Sequence, residues 1–169
     1  SLPEDIQVEM FRSQDADKHT LATLVIEQAP EFAGKLLDIA GSLPGDIRVE
    51  MFRSQDADKH TLATLVIEQA PEFAGKLLDI AGSLPGDIQV KMFTMWNSRN
   101  RRTFPMLVTE HDPKAVGKLL DIARSLPEDI QVEMFRSQDA DKHTLATLVI
   151  EQAPEFAGKL LDMEKYVAK

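Results

Sequence analysis

Cysteine is absent from the 169 residues, which excludes disulfide staples and thiolate metal sites and is compatible with a reducing compartment. Long apolar runs are missing too. No uninterrupted stretch reaches the roughly 18 residues that a membrane-crossing helix needs, and no charged stretch followed by an apolar core and a small-residue cleavage site opens the chain. These absences predict a soluble, cytoplasmic-type protein without membrane contact. A Gly-rich phosphate loop, a Ser-centred nucleophile elbow and a paired-carboxylate motif are likewise missing, so the expectation is no enzyme activity, no catalytic residue and no cofactor. The first residue is Ser1 rather than Met, and it coincides with a repeat boundary. That start is the one expected of an engineered or processed piece.

What is present is repetition. Residues 42–82 rewrite residues 1–41 with two changes, Gly45 for Glu4 and Arg48 for Gln7. Residues 83–124 keep the frame with different lettering and one inserted residue, and residues 125–162 restore residues 1–38 unchanged. A self-similar period near 40 residues is the mark of a solenoid. Natural repeats drift because each meets a different neighbour, so three nearly identical copies favour design or very recent duplication, with design preferred. The length predicts one domain spanning residues 1–169, with repeats at 1–41, 42–82, 83–124 and 125–169.

Charge separates the third repeat from the others. Lys and Arg number three, four, seven and five in the successive repeats against eight, seven, four and nine Asp and Glu, leaving net charges of −5, −3, +3 and −4. An overall −9 discourages nucleic-acid binding along the whole chain, which needs cations facing phosphates across the surface. A local basic site in the third repeat stays open.

Each repeat reads as three helices. The first spans Pro3 to Ser13, with Ser1 and Glu4 spaced as a capping box and Leu2, Ile6, Met10 and Phe11 on one stripe. The second runs Leu21 to Gln28; Leu21, Ala22, Leu24, Val25 and Ile26 cover most of its circumference, which predicts burial between the other two. Pro105 occupies the place of Ala22, and proline is tolerated only in a helix's first turn. The second helices should therefore start near Thr20, Thr61, Thr103 and Thr144. The third helix runs from Pro30 to Ala40 with Phe32, Leu36 and Ile39 or Ala40 inward, and Gly41 just past its end. Gly34 sits within it at a cost of about 1 kcal/mol relative to Ala, and it recurs as Gly75, Gly117 and Gly158, which points either to close helix-to-helix approach or to retention from a common template.

In length and layout such units resemble armadillo and HEAT repeats. In lettering, Asp15 to Glu27 followed by Gly34-Lys35-Leu36-Leu37 is similar to the ankyrin repeat, with a helix at Leu2 to Gln14 in the place of the ankyrin hairpin. The ankyrin Gly before Thr and the Pro-Leu-His core are missing. The resemblance implies a protein-binding scaffold.

Two recurring constellations bear on chemistry. Asp15-x-Asp17 suggests a calcium loop, but Thr20 stands where the loop needs Gly and Glu27 falls one residue late. His19, His60 and His143 recur once per repeat with no second ligand expected nearby, so they read as loop residues and no metal site is expected. The stretch from Thr94 to Arg102 differs. It holds the only Trp, three Arg and the inserted residue, and Met95, Trp96, Asn97, Arg99, Arg101 and Arg102 are the candidate binding residues. Trp beside Arg suits a protein-binding hot spot, single-stranded nucleic acid is a weaker fit, and the structural alternative is that Trp96 packs over the end of the first helix while the Arg residues answer acidic neighbours in the second and fourth repeats.

The ends complete the reading. The first repeat carries no polar cap of the kind repeat arrays need, and residues 163–169, which prolong the last helix with charge, form only a partial one. Head-to-tail self-association is the consequence. The expectation is a right-handed all-α solenoid of four three-helix repeats, a non-enzymatic scaffold for protein interaction, or alternatively part of a natural ankyrin-like interaction protein with its specificity in the third repeat.

Overall fold

A threonine starts every second helix. In the computed structural model, which describes residues 3–53, 55, 60–96 and 100–167 (without the side chains of Met51 and 164–167), Thr20, Thr61, Thr103 and Thr144 are all N-caps. Each hydroxyl accepts a bond from the backbone N–H three residues on, satisfying a donor that has no partner within the helix, at a value of about 1 kcal/mol. In three of the four, the threonine at that third position returns the bond to the cap's own N–H. The start inferred from Pro105 is thus the start of all four. The capping proposed for Ser1 lies outside the described residues.

The described residues form twelve α-helices in chain order and no strand. Those of the first two repeats are α1 (Glu4–Arg12), α2 (Leu21–Gln28), α3 (Ala33–Ser42), α4 (Gly45–Arg53), α5 (Leu62–Gln69) and α6 (Ala74–Gly82). The remainder are α7 (Gly86–Thr94), α8 (Phe104–His111), α9 (Val116–Arg124), α10 (Glu128–Arg136), α11 (Leu145–Gln152) and α12 (Ala157–Val167).

The third helices begin differently from the expectation. Pro30 opens a short 3-10 turn, Pro30–Phe32, and the α-helix follows from Ala33; Pro71, Pro113 and Pro154 do the same. The residue before each proline is held out of the helical region, Ala29 at φ −145° and ψ 63°, so the second helix must stop there. The other end also differs. Gly41 is not a left-handed residue beyond the helix but part of α3, and no described glycine has a positive φ. Pro44 sets the boundary instead, forcing Leu43 into an extended conformation.

Cα proximity divides the chain into two compact parts, Ser1–Leu84 and Pro85–Lys169. Within the first, α1 packs on α4, α2 on α5 and α3 on α6. Within the second, α7 packs on α10, α8 on α11 and α9 on α12. Within each part, every helix therefore meets its counterpart in the other repeat of that part. In α5 the expected all-round burial holds, with Leu62, Ala63, Leu65, Val66 and Ile67 all buried. It fails in α2, where Leu21 and Leu24 are exposed, because α2 covers α5 but no helix of that part covers the opposite face of α2.

The glycine of the third helix has a steric purpose. A Cβ on Gly34 would stand 2.7 Å from Cε1 of Phe73, and one on Gly117 would stand 2.9 Å from Cε1 of Phe156, both on the next repeat's 3-10 turn. The close approach inferred from sequence is therefore glycine against a phenylalanine ring. Gly158 has nothing within 4 Å of such an atom. Phe32, expected to point inward, is exposed, and no described glycine faces it as Gly34 faces Phe73. Ion pairs line the same packing, Arg12 to Asp46 (2.9 Å) and Glu50 (3.3 Å), Lys76 to Asp38 and Lys159 to Asp121. Exposed pairs of this kind contribute at most about 1 kcal/mol each, so they set register more than stability.

The two glycine environments make a controlled comparison. Gly158→Ala should stabilise by about 1 kcal/mol through helix propensity alone. Gly34→Ala should destabilise, overpacking against Phe73 costing about 1–3 kcal/mol and outweighing that gain. Urea midpoints of the two variants, measured on dilute protein, decide it; an equal rise in both would contradict the ring contact.

Candidate binding loop

The connection between the first and second helices is built on one aspartate. Oδ1 of Asp15 accepts the backbone N–H groups of Asp17 and His19 at 2.9 Å each, and the Asp15 N–H donates to the His19 carbonyl at 2.9 Å. The turn closes through a residue in the left-handed region, Lys18 at φ 65°. Asp139 and Lys142 (φ 67°) repeat this in the last loop. The curl draws Asp15, Asp17 and His19 together, and Asp139, Asp141 and His143 likewise, so that potential ligand atoms in each trio lie within 4.8 Å. This corrects the expectation that the histidines have no second ligand nearby; spacing along the chain does not reveal the curl. The carboxylate at the heart of each trio is already spent on the turn, as loop chemistry requires.

The third repeat solves the same turn with other residues. Trp96 and Thr103 form an isolated antiparallel bridge equivalent to that of Gln138 and Thr144, and it encloses six residues where the other encloses five. The inserted residue therefore lies inside the bridge. Arg101, at φ 58°, takes the place of Lys18 and Lys142, so from there onward the three loops share one backbone course. Asn97 and Arg99 lie outside the described residues.

Arg102 falls in the histidine position and is nearly buried, with 14% of its side chain exposed. It is ion-paired with Glu110, as His19 lies 3.7 Å from the equivalent Glu27, and its Nε also reaches Asp139 Oδ2 at 3.3 Å. The Ala140 N–H donates to the Asn100 carbonyl at 2.8 Å, which ties the two loops together. Asp139 is at the centre, with 1% of its side chain exposed. Burial, the largest single influence, pushes its carboxyl up, but the backbone N–H and the ring of His143, the N–H of Asp141 and the Arg102 guanidinium together outweigh it. The net result holds Asp139 below its ordinary value.

Trp96 faces outward. It is 44% exposed, and the Arg101 guanidinium lies over its ring at 5.1 Å from the centroid, within cation–π range. Met95 beside it is half-buried. Next to this stack an open depression is lined by Arg101, Arg136, Gln138, Asp139, Ala140 and Lys142, three cations among six residues. Of the candidate residues described, the structure thus brings Trp96 and Arg101 together on the surface and turns Arg102 inward. The expectation of acidic neighbours in the fourth repeat is met for Arg102 by Asp139, which the sequence did not single out, and Arg136 had no signal but its distance of one repeat from the basic stretch.

No known family, curated protein or solved structure matches the chain. The resemblance to ankyrin and armadillo repeats therefore rests on the residues alone. Among the described residues no helix is long and apolar enough to cross a membrane.

Two measurements follow from this loop. Trp96 fluorescence should be solvent-like and strongly quenched by iodide, the more so because Arg101 attracts the anion, and Arg101→Ala should lower the quenching constant; a blue-shifted, quencher-resistant spectrum would mean packing instead. Asp139→Asn should cost about 1.5–3 kcal/mol at neutral pH through lost charge-assisted bonds. Since the folded carboxyl titrates below the unfolded value of about 3.9, its stabilisation is full above that pH and is lost as pH falls through the folded value. Wild type and variant should converge there in thermal melts.

Proposed function

We propose that the chain is a non-enzymatic helical repeat scaffold for protein binding, an α-solenoid of four three-helix repeats whose specificity lies in the third. The observation that carries this is the outward Trp96–Arg101 stack, set in the one loop whose lettering departs from the others and next in sequence to Arg102, which is paired with Asp139. A large aromatic ring with an arginine is the composition of an interface anchor. The cationic depression beside it favours a partner segment bearing carboxylates. The same packing of like helices one repeat apart supports the solenoid, and the near-identity of three repeats supports design over a fragment of a drifted natural array.

The absence of catalysis is part of this reading. The carboxylates and histidines that recur do so at loop positions, and Asp15 and Asp139 are engaged in holding backbone N–H groups. Nucleic acid is the weaker reading, since Arg102 is ion-paired with two carboxylates and the whole chain carries −9.

Panning a random peptide library on the immobilised protein tests the proposal. Acidic peptides should emerge, and Trp96→Ala or Lys142→Glu should weaken them by about tenfold or more, as at a hot spot. Peptides indifferent to both substitutions would remove the loop from the site. Binding of an oligothymidylate with a steep salt dependence would instead favour nucleic acid.

A further inference from the structure

The two ends of the chain carry the two halves of a contact that it already makes internally. Where the second repeat packs on the first, Arg12 bonds to Asp46 and Glu50, the Phe73 ring lies over Gly34, and Lys76 pairs with Asp38. The fourth repeat restores the first side of this contact unchanged, with Arg136, Gly158 and Asp162 in the places of Arg12, Gly34 and Asp38. The first repeat carries the second side, with Asp5 and Glu9, Phe32 and Lys35 in the places of Asp46 and Glu50, Phe73 and Lys76. All seven of these terminal residues are exposed.

The apolar surface follows the same division. Ile6, Leu21 and Leu24 are 49%, 53% and 37% exposed, whereas their counterparts Ile47, Leu62 and Leu65 are 1%, 5% and 4% exposed. At the other end Ile150 and Leu161 are 46% and 57% exposed, against 0% and 1% for Ile26 and Leu37. Each exposed side chain is thus one whose twin is buried inside the chain.

We propose that the face of one copy bearing Ile150, Gly158 and Leu161 docks on the face of a second copy bearing Ile6, Leu21 and Phe32. Phe32 then lies over Gly158 of the other copy, Arg136 meets Asp5 and Glu9, and Lys35 meets Asp162. The assignment commits to a second copy because the complementary surface is present in the same sequence and the internal contact shows it to be complementary. It departs from the internal template at Glu4 and Gln7, which stand where the second repeat has Gly45 and Arg48, and beyond Asp162, where Met163 replaces Ile39. The contact is heterologous, so each joined pair still presents one unlike face at either end and growth does not stop at a dimer. The inference rests on the repeat-scaffold reading only for the equivalence of the repeats, not for the Trp96 loop.

Two blocked variants test it by sedimentation. One carries Leu21→Lys and Phe32→Glu, the other Ile150→Glu and Leu161→Lys. The unaltered chain should rise in mass above its 18.9 kDa with concentration, each variant alone should stay monomeric, and an equimolar mixture of the two should form a one-to-one pair and go no further. Trp96→Ala should leave all of this unchanged. A monomeric unaltered chain at high concentration, self-association surviving in either variant, or a mixture that stays monomeric would overturn the proposal. Leu21→Glu and Leu161→Glu singly take the place of any double variant that loses helical circular dichroism. Arg136 belongs to both sites, so the two readings are separated by Trp96→Ala, which removes peptide binding alone, and by the Ile150→Glu and Leu161→Lys variant, which removes association alone.

Discussion

Burial of one repeat's helices by the corresponding helices of the next is the constraint on which the rest depends. The second helices are only eight residues long, well under the roughly 12–15 at which an isolated helix becomes even marginal in water. Threonine caps and proline turns decide where these helices begin and end, but they do not hold them folded. Stability comes when α2 seats on α5, or α8 on α11, and the apolar sides that each exposes alone become interior. Glycine at position 34 or 117 gives up helix propensity so that the facing phenylalanine can enter. Local cost is accepted for contact between repeats.

The same constraint explains what could be read from the letters and what could not. The Thr20, Thr61, Thr103 and Thr144 caps were legible because capping depends on three or four consecutive residues, and Pro105 marked one of them directly. The purpose of Gly34 was legible in kind, since a glycine kept within a helix implies a neighbour. Its partner was not, because Phe73 is 39 residues away in sequence. The exposure of Phe32, Leu21 and Leu24 was illegible for a further reason: identical letters have different surroundings in the first copy and in the second. Gly41 was misjudged because a proline three residues later controls the helix end more strongly than glycine does.

In the candidate site, composition drew attention to the right loop, yet it treated the arginines as equivalent. They are not. Arg101 occupies the left-handed corner and lies over Trp96, where its charge remains at the surface. Arg102, one residue on, replaces a histidine and is turned toward Glu110 and Asp139, where its charge is neutralised. The direction of each side chain follows from a backbone dihedral that no count of charges contains. The lining of the nearby depression comes from two different loops and a helix end, so it exists only after folding.

The link from Arg102 to Asp139 also bears on how a chain of near-copies finds its correct order. Three of the four repeats are almost interchangeable, so during folding a helix could pair with the wrong copy at little energetic penalty and remain trapped there. The third repeat breaks that degeneracy. Only it offers a guanidinium where its siblings have an imidazole, and the Asp139 carboxylate is sealed from water in its company while the same carboxylate at Asp15 remains half open to solvent. The ion pair therefore marks the third repeat as the partner of the fourth: a copy of the first or second in that place would offer Asp139 an imidazole instead of a guanidinium.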